Sequence, residues 1–103
     1  MAQSMETMKV TFVKLMSENG FTPTGDKTHE GGTIYAREWR KVSQVAFYGE
    51  RESTFRITAS ESYGYPLIRI FENGRPKDVR DYSSPKRAMN AIREIIQYAG
   101  YQF

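Results

Sequence analysis

The chain has no cysteine, so neither disulfides nor thiolate metal sites are open to it. Its single histidine, His29, leaves little imidazole for general-base work or metal ligation. No stretch approaches the roughly 18 consecutive apolar residues that a membrane-spanning helix needs. The opening Met1-Ala2-Gln3-Ser4-Met5-Glu6-Thr7 lacks the basic and apolar regions of a secretory signal, and residues 1–4 read as a leader ahead of the fold. These absences remove a secreted disulfide scaffold and a helical membrane protein, and they fit a cytoplasmic location.

What is present belongs to one domain. A length of 103 residues with 39% apolar and 14% aromatic content supports a single core without staples. Fifteen basic residues against 12 acidic ones give a net charge of +3. So mild a balance admits nucleic acid or an acidic protein surface as partner without selecting either.

The most legible stretch is Tyr65–Ala99. Asn73-Gly74 between two extended runs is the mark of a two-residue hairpin turn. Strict pairing from that turn sets Glu72 opposite Arg75, Arg69 opposite Asp78 and Ile68 opposite Val79. One face then carries Ile68, Ile70 and Val79, and the other Tyr65, Leu67, Arg69, Phe71, Arg80 and Tyr82. Pro76 cannot donate to a ladder, which marks its strand as an edge or as bulged there. Ser84-Pro85 then opens a helix over about 85–99, with Ala88, Ile92, Ile95, Ile96 and Ala99 as its buried stripe and Gly100 as its stop.

At the other end, Met5, Met8, Phe12, Leu15 and Met16 recur at helical spacing over 4–19, with Ser4 as cap and Gly20-Phe21 as terminator. Residues 22–32 read as a flexible loop from their Gly, Thr and Pro content. Strands follow over 33–41, 44–48 and 54–60, with a charged turn at Glu50-Arg51-Glu52-Ser53. The expected fold is therefore α+β: an antiparallel meander of four to five strands flanked by an N-terminal and a C-terminal helix.

Catalytic chemistry finds little support. Asp26, His29 and Glu30 could in principle hold a divalent ion, but a Gly-rich loop does not preorganise ligands. The glycines at 25, 31 and 32 fail the spacing of a phosphate loop and precede a strand. The expectation is no catalytic residue, no metal and no cofactor.

Three features bear on binding. Tyr35, Arg37, Trp39 and Lys41 alternate aromatic and cation along one strand face, a pattern that suits single-stranded nucleic acid if exposed. The same pattern arises when the rings face a core and the cations snorkel at its rim. Lys86 and Arg87 lie in the closing helix's first turn, where cations oppose the helix dipole, and with Arg93, Arg80 and Lys77 they could meet phosphates. Third, Tyr63, Tyr65, Arg69, Phe71, Arg80 and Tyr82 are of the types enriched at protein interfaces.

The outline resembles the double-stranded RNA-binding domain at Lys86 and Arg87 alone. Strand number and residues 22–32 do not match that family, and no residue is carried over from it. The leading expectation is a non-enzymatic nucleic-acid-binding module using Tyr35, Arg37, Trp39, Lys41, Arg69, Arg80, Tyr82, Lys86 and Arg87. The alternative is a small protein-interaction module, such as a phage or mobile-element inhibitor docking on a host nucleic-acid machine. A homodimer through a sheet edge is a further expectation.

Overall fold

The computed structural model describes residues 5–47, 49–62 and 65–103. Expectations about residues 1–4, the Ser4 cap, the Met5 side chain, the strand end at Tyr48 and the Tyr63 contact fall outside the described residues. The order is α1 (Met5–Glu18), β1 (Thr22–Lys27), β2 (Thr33–Val45), β3 (Gly49–Ser62), β4 (Tyr65–Glu72), β5 (Arg75–Asp81) and α2 (Pro85–Tyr98). The five strands form one open antiparallel sheet in the order β1-β2-β3-β4-β5. This is the expected α+β meander between two helices.

Both helices stop the same way. At the end of α1 the Gly20 N–H donates to Ser17 O and the Phe21 N–H to Met16 O, with Gly20 at φ 81°. At the end of α2 the Gly100 N–H donates to Gln97 O and the Tyr101 N–H to Ile96 O, with Gly100 at φ 87°. Each is a Schellman stop, and in each the residue after the glycine is a buried aromatic. The start of α2 is capped as its sequence requires, the Ser84 hydroxyl accepting from the Arg87 N–H at 3.2 Å with Pro85 behind it.

The two helices cover one face of the sheet. Phe12 and Met16 of α1 and Met89, Ile92 and Ile96 of α2 pack on Tyr35, Trp39, Phe55, Ile57, Ala59, Ile68 and Ile70. Period-two alternation then leaves the opposite residues of each strand on an uncovered face.

Four sequence expectations are corrected. Thr22–Lys27 is a strand, although Pro23 and Gly25 mask it; it pairs with Thr33–Ala36 and its ladder is interrupted between Pro23 and Lys27. The two strands expected over 33–48 are one continuous strand, β2, and the charged run Glu50–Ser53 belongs to β3. The turn between them instead falls beyond Val45, where Phe47 and Gly49 take positive φ of 72° and 79°. The fourth concerns the hairpin register: Glu72 does face Arg75, but Phe71 faces Pro76 and Ile70 faces Asp78, so Lys77 is an extra residue in β5. That bulge turns every later side chain over. Val79 therefore sits opposite Arg69, while Arg80 sits opposite Ile68 on the helix side, away from Arg69.

Beyond Arg40 and Thr54 no third strand among the described residues pairs with the hairpin of β2 and β3. β4 begins to pair at Phe55, and the Asn73 side chain receives the Thr54 N–H where the sheet narrows. The two-stranded arm that remains, 41–53, stretches the molecule to 57 × 26 × 22 Å. The radius of gyration is 15.1 Å, against about 13 Å for a compact chain of this length.

Candidate functional site

The alternating aromatic and cationic side chains of β2 face the helices. Tyr35 and Trp39 are 8% and 5% exposed. Phe12 meets Tyr35 edge to face at 5.9 Å, and Phe21 meets Trp39 in the same way at 6.1 Å. The cations between them are committed as well. Arg37 donates to Asn19 O at 2.9 Å and to Phe103 O, and its guanidinium lies 4.6 Å from the centroids of both Trp39 and Phe103. Burial pushes the Arg37 pKa down from its ordinary value. Lys41 donates to Ala99 O at 3.3 Å and lies 4.4 Å from the Tyr101 centroid. A stacking platform for bases on Tyr35 and Trp39 is therefore removed: these rings are core.

The remaining sequence candidates are scattered. Lys86 and Arg87 are exposed on the first turn of α2, which holds no acidic residue. Arg80 is exposed on the helix side, where Nε bonds Asp78 at 2.7 Å. That bond, together with the Val79 N–H, holds the Asp78 carboxyl below its ordinary range. Tyr82 is half-buried against the core. Arg69 alone of the set lies on the uncovered face, apart from the others. Among the described residues no three His, Asp or Glu side chains gather as metal ligands, and Asp26 and Glu30 stay exposed on β1 and its turn.

What the topology does assemble is the open face of the sheet. The register aligns Ala36, Thr58, Arg69 and Val79 in one row, and Glu38, Arg56, Phe71 and Pro76 in the next. Continuing outward come Arg40 with Thr54, Val42 with Glu52, and Gln44 with Glu50, the last two rows lying on the arm. On the other side lie Ser60, Leu67 and Asp81. Arg40 is held by Glu38 at 2.8 Å and Glu52 at 3.6 Å. Arg56 and Arg69 are exposed, while Val79 at 52% and Val42 at 60% leave apolar surface between the charges.

Arg56 and the arm escaped the sequence reading. Strand alternation from Phe55, Ile57 and Ala59 was the signal available for Arg56, because it places Arg56 outward once those three face in. The chain matches no protein-family model, and comparison with curated proteins and with solved structures returned no match.

Proposed function

We propose that this chain is a non-enzymatic protein-interaction module that docks on a partner protein through the open face of its sheet. The observation that carries the reading is the make-up of that face. Arginines, carboxylates and half-buried apolar side chains share rows that neither helix covers. Arg40, Arg56 and Arg69 are set against Glu38, Glu52 and Asp81, so the face lacks the one-sided positive field that collects phosphates. Mixed charge around apolar patches, with Arg among them, is the make-up of a protein interface. A host nucleic-acid machine stays within this class of partner.

The test is retention of a lysate protein on the immobilised chain after nuclease treatment. Arg69→Glu and Phe71→Ala should abolish retention, and Lys86→Glu with Arg87→Glu should not. If nuclease strips every partner, or the face variants bind as before, the reading fails. A second reading, nucleic-acid binding at the α2 start, draws on one observation: Lys86 and Arg87 are exposed and no acidic side chain shares their turn. It requires binding that weakens steeply with salt and is lost on reversing those two charges.

A further inference from the structure

We infer that the occupant of the open face is a second copy of this chain, paired as a two-fold dimer in which each arm lies across the other copy's sheet. The inference rests on reading the open face as a protein-docking surface and goes on to name the partner. Three independent features of the arm point the same way.

The first is Phe47. At the end of the arm it is wholly exposed, at 103%, and its φ of 72° is one that bulky side chains rarely adopt. An aromatic side chain held outward on a strained turn breaks both the burial rule and the backbone rule, and such breaches concentrate at contact sites. The second is the arm itself. Two strands without a third strand or a covering layer are marginal in water, and a covering surface would complete them.

The third is charge. The arm's share of the open face carries Glu50 and Glu52, while the body's share carries Arg56 and Arg69. A two-fold axis lying between the faces, across the strands at the Arg40–Thr54 row, inverts the order of rows in the second copy. The Val42–Glu52 row then meets the row of Glu38, Arg56 and Phe71. The Gln44–Glu50 row meets the row of Ala36, Thr58 and Arg69. The arm tip reaches the Ser60 end of the sheet, whose β4–β5 side holds a depression of about 500 Å³ lined by Tyr65, Leu67, Asp81, Tyr82 and Ser83. One axis thus sets acid against base twice and lays the arm tip with Phe47 on the Ser60 end of the partner sheet. Arg40, on the axis, is already paired with Glu38 and Glu52 of its own chain. Each patch meets its counterpart in both directions, as an isologous contact requires.

Strand rise and spacing give a flat overlap of about 400 Å² per copy. That is below the roughly 800 Å² per partner of a standard interface, so dissociation in the micromolar range is expected.

Sedimentation velocity between about 1 and 500 µM brackets that range. The wild-type chain, 11.9 kDa as a monomer, should shift to twice that mass within it. Glu50→Arg with Glu52→Arg in one variant, and Arg56→Glu with Arg69→Glu in another, should each weaken self-association about tenfold or more. Mixed together, the two variants should form a heterodimer, because each arm then meets a body of opposite sign. Misfolded chains could not restore one another in this way. A wild-type chain that stays monomeric throughout, or charge variants that fail to rescue each other, would overturn the inference. If the monomer nonetheless loses a lysate partner on Arg69→Glu, only the second copy is excluded. If Arg69→Glu changes neither self-association nor partner retention, the docking surface falls too.

Discussion

Arg37 and Lys41 stand on one face of β2, and each donates to the carbonyl that closes a different helix, Asn19 for α1 and Ala99 for α2. The last carbonyls of a helix have no partner within it and carry its negative pole. One strand thus delivers two cations to two helix ends, with Trp39 packed between them. This accounts for the alternation of ring and cation along β2 without any ligand.

Removing that link should cost stability. Arg37→Ala loses the bonds to Asn19 O and Phe103 O and the contact with two rings. Urea unfolding should show a loss of about 2–3 kcal/mol. Arg37→Lys should recover less than half of it, since an ammonium cannot reach both oxygens as a fork does. An unchanged midpoint for the alanine variant would refute the capping role.

Trp39 should be more dispensable than its burial implies. Its Nε1 is buried and has no hydrogen-bond partner among the described residues, and an unsatisfied donor costs about 1–3 kcal/mol. Trp39→Phe removes that penalty while losing part of the packing, so a net change within about 1.5 kcal/mol is expected. Ile57→Ala, at a fully buried position, should cost about 2–5 kcal/mol. Parallel melts of the two variants decide the order.

Tyr101 gives the fold an alkaline limit. Burial, and behind it the charge of Glu72, pushes its phenol above the ordinary value, which is about 10. Below that ordinary value both folded and unfolded chains hold the proton, and the stabilisation is complete. As pH rises toward the folded value the unfolded chain ionises first, and stability is lost. Tyr101→Phe should therefore flatten the decline of stability above about pH 10 relative to wild type. Parallel curves would exclude this account.

The arm tip is strained, and none of its described residues belongs to the core. Phe47→Gly relieves the positive φ and should raise stability by about 0.5–1 kcal/mol in guanidinium titrations at concentrations that keep the chain monomeric. The same variant should weaken self-association. Stability gained where association is lost would show that the phenyl ring is kept for contact rather than for folding. A variant less stable than wild type would point to a local role for the ring.

How much of this could be read from residues alone varies along the chain. Ser84-Pro85, Asn73-Gly74 and the Gly-aromatic stops carry their geometry in local chemistry, so the helices and the last hairpin were legible. β1 was not, because Pro23, Gly25 and Asp26 all disfavour a strand and only pairing with β2 forms it. Alternation separated Tyr35 and Trp39 from Ile34 and Ala36, but it cannot say which set the helices cover. The bulge at Lys77 was foreshadowed by Pro76, yet its effect on Arg80 depends on where the extra residue falls. The open face became visible only once those two ambiguities were resolved by the fold.

The same bulge bears on the edges of the sheet. β5 is exposed along its whole length, carries Lys77, Asp78, Arg80 and Asp81, and lacks a straight run of donors on either side of Lys77. At the opposite margin, the break between Pro23 and Lys27 interrupts β1. Neither border offers the flat, uncharged template on which further strands stack into fibrils. Charge and an interrupted ladder thus disfavour strand addition along β5 and along β1.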